Sequence, residues 1–144
     1  MPYKNRQNDK NTEYSGIKEL LALELMENYN SSIVFDSLRY TSKVNKIIDF
    51  GAGIGTLSLI FRNKYYKENL CIEIDPLNQK YLEKRNFKYF NNIENLSKKV
   101  DLVFSSNVLE HIKNDLKIMR LLRKKINNDG FLFLYLPANL ILWT

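Results

Sequence analysis

The stretch that most constrains this chain is residues 46–56. There the apolar run Lys46-Ile47-Ile48-Asp49-Phe50 passes without a break into Gly51-Ala52-Gly53-Ile54-Gly55 and then into helical sequence from Thr56. Three glycines at alternate positions let the backbone turn sharply and let a ligand approach with no Cβ in the way, while a helix start offers free N–H groups. A turn alone usually needs only one glycine, so the pattern predicts a strand, a ligand-binding loop and a helix in succession. Two familiar ligands fit poorly. The dinucleotide fingerprint Gly-x-Gly-x-x-Gly fails because Thr56 stands where its last glycine belongs, and no lysine follows the glycines as a phosphate loop requires. Asp49, just before the loop, would repel a phosphate and suits a cationic group such as an ammonium.

With 144 residues, 44% hydrophobic and 26% charged, the chain can bury one core and is no disordered tail. Its single cysteine excludes a disulfide scaffold, and Cys71, inside the apolar run Leu70–Ile74, reads as a buried structural thiol. The first sixteen residues lack the apolar centre of a secretory signal, which predicts a cytoplasmic protein. The run from Phe131 to Trp143 is interrupted by Pro137 and Asn139 and falls short of the roughly 20 residues that span a bilayer, so no membrane segment is expected. The net charge of +6 is scattered. Its densest cluster, Arg120 to Lys125, sits on a predicted helix whose Leu116, Met119, Leu122 and Ile126 face the other way, a solvated face that disfavours a nucleic-acid partner.

Residues 1–15 read as a loose leader. Helical spacing in Ile17, Leu20, Leu21, Leu25 and Met26 predicts a helical flank to about Tyr40, broken near Asn28–Ser32. From Lys46 the pattern changes to short apolar runs alternating with helical stretches, the mark of a parallel α/β sheet. Strands are predicted at 46–50, 69–74, 87–90, 100–105 and 131–136, and helices near 55–65, 77–85 and 114–126. The last helix would be opened by Asn114 as N-cap and closed by an Asn127–Gly130 turn. The chain thus divides into a flank, 1–45, and a ligand-binding core, 46–144.

The second strand ends in Glu73-Ile74-Asp75, about twenty residues beyond the glycines, where a carboxylate can accept bonds from both hydroxyls of a ribose. Glu73 and Asp75 share strand parity. Asp75 precedes Pro76 and a helix, so an N-cap is its simpler role, and Glu73 is favoured as the ribose ligand.

At this point the residues resemble a known family. Asp49-Phe-Gly-Ala-Gly-Ile-Gly, then Glu73-Ile-Asp-Pro, then Asp101-Leu-Val-Phe-Ser-Ser-Asn-Val-Leu-Glu-His-Ile112 are together similar to the class I S-adenosylmethionine-dependent methyltransferases, over residues 46–138. The resemblance implies a Rossmann-like, mostly parallel sheet sandwiched by helices. It implies S-adenosyl-L-methionine as cofactor and a small-molecule methyl acceptor with an O, N or C nucleophile. It places the methionine end on Asp49 and the loop Gly51, Ala52, Gly53 and Gly55, the ribose on Glu73, and adenine against Ile74 and near Asn92 and Ile93. Ser106 and Asn107 would border the transferred methyl. Asn92 stands where relatives often carry an acid, and can accept from an exocyclic amine through its carbonyl. Relatives with Glu-x-x-Glu-His use a metal here, but Asn107 replaces the first Glu, so no metal is expected. Glu110 and His111 are candidate catalytic residues, His111 as general base, and capping of the next helix is the competing role. Tyr29 and Asn30 of the flank are candidates for the acceptor pocket.

Three other readings stay open: a cofactor-binding module without turnover, an NAD-dependent oxidoreductase, and a nucleic-acid methyltransferase. Five of the family's seven strands are counted. That predicts either a fragment of a longer polypeptide or self-association through the apolar edge of the fifth strand.

Overall fold

A computed structural model of the chain describes residues 16–39 and 43–137. The predicted leader and the end Leu140–Thr144 lie outside the described residues. Five parallel strands, β1 (Lys46–Phe50), β2 (Glu68–Ile72), β3 (Lys88–Phe90), β4 (Val100–Ser106) and β5 (Ile126–Tyr135), form one sheet in the order β3-β2-β1-β4-β5. The helices are α1 (Ile17–Glu24), α2 (Glu27–Leu38), α3 (Thr56–Tyr65), α4 (Pro76–Lys84) and α5 (Asp115–Lys124). The fold is α/β and Rossmann-like, with helices on both faces.

Alternation along β1 explains the two layers. Ile47 and Ile48 are both wholly buried but face opposite ways, as neighbours on a strand must. Ile47 packs with Ile33 and Val34 of α2, Phe61 of α3 and Phe104 of β4, and Phe61 meets Phe104 edge-on with ring centroids 5.1 Å apart. Ile48 packs with Ile72, Val103, Leu122 of α5 and Ile126 on the other face. Because α2 is built into the first of these cores, the flank is part of the folded body. The order of strands reverses between β1 and β4, and in such sheets the crevice at the strands' carboxyl ends takes the ligand.

Three local expectations are corrected. The flank breaks at Leu25–Met26, and Asn28–Ser32 lie inside α2, because Asn30 turns its side chain back to donate to the Leu23 carbonyl (2.8 Å) and so bridges the break. The last helix ends at Lys124, and Asn127–Gly130 form a bulge within β5. Asp101 holds that bulge, accepting from Asn127 Nδ2 at 2.9 Å and from the Asn45 and Lys46 amides at 3.0 Å. A side chain at Gly130 would put its Cβ 2.8 Å from the Asp101 carbonyl oxygen. Finally, Leu116 is exposed, and α5 turns Leu122, with Ile118, Met119 and Leu121 beside it, toward the sheet. Asn114 does cap α5, accepting from the Lys117 amide at 3.2 Å.

Candidate functional site

The glycine loop is tighter than one glycine could make it. Gly51, Gly53 and Gly55 all sit at left-handed φ (78°, 56° and 83°), so each has a backbone reason of its own. At Gly51 space forbids a side chain as well, since its Cβ would lie 2.3 Å from Val108 Cγ2. The loop is tied to the second strand. The Gly51 and Ala52 amides both donate to the Ile72 carbonyl (2.8 and 3.1 Å), and the Gly53 amide donates to Glu73 Oε2 (2.7 Å). Helix α3 then opens at Gly55 without a side-chain cap.

Strand β2 ends at Ile72, one residue before Glu73, whose backbone still bonds to the Phe90 carbonyl of β3 at 3.0 Å. Glu73 is only 7% exposed. Its Oε1 accepts from the Asp75 amide at 2.8 Å, so both carboxylate oxygens are oriented by backbone N–H groups and keep lone pairs for a ligand. Asp75 points elsewhere and caps α4, accepting from the Leu77 amide at 2.7 Å.

Around these groups lies a cavity of about 590 Å³, within the range of small-molecule sites. Of the residues singled out in the sequence, Gly51, Gly53, Glu73, Ile74, Asn92, Ile93, Asn107 and His111 line it. Ile74 is 78% exposed at its mouth, an apolar surface available to a flat ring. Asn92 spends its Oδ1 on the Glu94 amide (2.9 Å), which closes the 3-10 turn Ile93–Asn95. Asn107, at left-handed φ (55°), is pinned through its amide to the Tyr135 carbonyl at 2.8 Å.

Asp49, Ala52, Gly55, Ser106 and Glu110 do not line the cavity. Asp49 lies beneath the loop, buried, with Ser58 Oγ donating to its Oδ2 at 2.6 Å and Ser58 Oγ also 3.4 Å from Cys71 Sγ. Burial pushes its carboxyl up to about 6, against the pull of the Ser58 hydrogen bond and with a further push from the Glu73 charge. The same burial, with the Asp49 charge beside it, pushes the Cys71 thiol up to about 12, so this sulfur is no nucleophile. Ala52 packs against the cluster of Cys71, Leu82 and Phe87, and Gly55 faces Leu82 and Phe87. Glu110 and His111 lie in the 3-10 turn Leu109–His111, with carboxylate and imidazole 3.9 Å apart. Capping of α5 falls to Asn114, which removes that competing role from the pair.

Several lining residues had no signal in the sequence. Leu20 reaches the cavity from α1, and Asn78 from α4, its Oδ1 buried without a partner. Only the packing of helices against the loop brings them there. Tyr29 stacks edge-on against Tyr135 beyond Asn107, ring centroids 6.2 Å apart. Asn30 is buried and committed to the α1–α2 break, and neither it nor the more exposed Tyr29 lines the cavity. Among the described residues no three His, Cys, Asp or Glu side chains cluster as metal ligands, and no helix is long and apolar enough to cross a membrane.

Residues 22–143 match the protein family described as "Methyltransferase domain". No curated protein matches the chain. Among solved structures the fold is shared with Streptomyces venezuelae DesVI (14% identity, TM-score 0.73, 92% of this chain and 61% of that one). It is shared with the glycopeptide N-methyltransferase MtfA complexed with S-adenosyl-L-methionine (16%, TM-score 0.62, 73% and 53%). The plantazolicin methyltransferase BpumL, in complex with SAH and a pentazolic desmethylPZN analog, is a third (14%, TM-score 0.63, 83% and 49%). The chain spans about half to three fifths of the length of these structures.

Proposed function

The chain belongs to the methyltransferase-domain family, and on that premise we propose that its cavity binds S-adenosyl-L-methionine and serves methyl transfer to an O, N or C nucleophile of a small molecule. The observation that carries the reading is the Glu73 carboxylate, held by the Gly53 and Asp75 amides at the rim of the cavity between the glycine loop and the exposed Ile74. The residues fit the cofactor. Glu73 has free lone pairs for the two ribose hydroxyls, Ile74 and Ile93 offer apolar faces to adenine, and the Cβ-free loop admits the methionine end. MtfA binds the same cofactor in its crystal.

When bound, the sulfonium supplies an electrophilic methyl group, so little acid–base chemistry falls to the protein. The chain's part is to orient and to exclude water. Glu73 fixes the ribose, the loop fixes the backbone end, and Asn107 stands at the carboxyl end of β4 between the cavity and Tyr29. His111, in the cavity wall, is the group we assign to take the acceptor's proton, and Glu110, outside the wall, acts only through it. The edge-on pair Tyr29 and Tyr135, outside the cavity wall, is the group we assign to the acceptor side. A lone, inert thiol is in keeping with a cytoplasmic setting. MtfA and BpumL act on a glycopeptide and on plantazolicin, so a peptide-like acceptor fits the same class.

Isothermal titration of the chain with S-adenosyl-L-methionine and S-adenosyl-L-homocysteine tests the reading. Micromolar binding to both is expected. Binding of neither, or equal binding after Gly53→Val, would sink it.

A further inference from the structure

Helix α1 contributes no buried residue, yet its Leu20 lines the cavity and stands 3.4 Å from the place a Gly53 Cβ would take. Eight residues are too few for a helix to persist in water by itself, so something outside its own sequence must hold it on the loop. Asn30 ties its Leu23 carbonyl to α2, and toward the glycine loop a polar hold lies at its last residue. Glu24 Oε1 is 2.8 Å and Oε2 3.1 Å from Arg85 Nη2, and Thr56 Oγ1 donates to Oε1 at 3.3 Å. Both charged side chains are largely shielded (18% and 28% exposed), which strengthens such a pair relative to one in open water. Arg85 is itself anchored, its carbonyl accepting from Arg62 Nη1 at 2.7 Å. Thr56 is the residue directly after Gly55, so the latch joins α1 to the exit of the glycine loop.

We propose that Glu24, through Arg85 and Thr56, is the positioning residue that clamps α1 over the glycine loop, so that Leu20 closes the end of the cavity where the cofactor's amino-acid part sits. Ligand exchange then requires this latch to open. The proposal rests on the cofactor reading above, and its test separates the two.

The test uses the full chain, with S-adenosyl-L-homocysteine as probe in stopped-flow displacement and hydrogen exchange on the ligand-free protein. Glu24→Gln keeps the side chain's shape and removes its charge. It should speed probe dissociation about tenfold and accelerate exchange of the residue 17–24 amides, while the global unfolding transition stays in place. The charge-exchanged pair Glu24→Arg with Arg85→Glu should recover much of the dissociation rate. A Glu24→Gln protein that releases the probe at the wild-type rate, or whose 17–24 amides exchange as before, overturns the latch. If the wild-type chain binds no probe, the cofactor reading falls, and the exchange arm still decides whether Glu24 holds α1.

Discussion

The carboxyl ends of β1 and β2 are knitted together, whereas that of β4 is loosely furnished. At the first, the Gly51, Ala52 and Gly53 amides, Glu73 and Asp75 share hydrogen bonds of 2.7–3.1 Å, with Asp49, Ser58 and Cys71 closed beneath them. At the second, His111 is exposed, Glu110 approaches it only to 3.9 Å, and Asn107 is held mainly through its backbone. A region that must present the same few donors and acceptors to one invariant ligand gains from being built in advance. A region that meets a variable partner has no such constraint. Mutations should therefore cost stability and cofactor binding at the first end, and turnover alone at the second.

The largest effect is expected at the loop. Gly51→Val combines a left-handed φ of 78° with a Cβ driven to 2.3 Å from Val108, and should destabilise by about 4 kcal/mol in urea unfolding. A loss under 1 kcal/mol would mean that the loop is not rigid and the contrast fails. Next comes Glu73→Gln, which can keep one backbone bond but sets an amine against the Gly53 or Asp75 amide. It should weaken S-adenosyl-L-homocysteine binding about 30-fold in a titration.

Asp49 gives a pH signature. Its carboxyl in the fold, at about 6, lies above the ordinary value of 3.8, so its contribution to stability is complete at low pH and is lost as pH rises through 6. Asp49→Asn removes this dependence while still accepting from Ser58. The variant's stability relative to wild type should be higher at pH 7.5 than at pH 4.5 by about 2 kcal/mol in paired denaturation curves. A flat difference would show that Asp49 is solvated in solution. The smallest effect on the fold is expected from His111→Ala, within about 0.5 kcal/mol of wild type, with cofactor affinity changed less than threefold. Its effect should appear in turnover, reduced at least tenfold in a methyl-transfer assay on an accepted substrate. Full turnover would remove His111 from the chemistry.

How legible these features were in the sequence follows the range of the forces behind them. The glycine loop, the Asp75 and Asn114 caps and the starts of β1 and β4 depend on neighbours a few residues away, and spacing along the chain reveals them. That Asp75 caps α4 while Glu73 is left to the cavity was readable because a proline follows the capping residue. The break at Leu25–Met26 was misplaced because Asn28–Ser32, poor helix formers, are held helical by Asn30 reaching across the break and by Ile33 and Val34 packing on the sheet. The start of β5 was missed because Asn127–Gly130 spell a turn locally, and only Asp101, on a neighbouring strand, draws them into a bulge.

That a strand runs into a three-glycine turn, that an acid follows about twenty residues later and that alternating elements make a parallel sheet could all be read along the chain, since backbone dihedrals and side-chain periodicity are local properties. It took the packed fold to put Asp49 beneath the loop and not in the cavity wall, to complete that wall with Leu20 and Asn78, and to tie Glu24 of α1 to Arg85, sixty-one residues away. Burial and helix docking depend on where the whole sheet places its faces, and no stretch of sequence carries that information by itself.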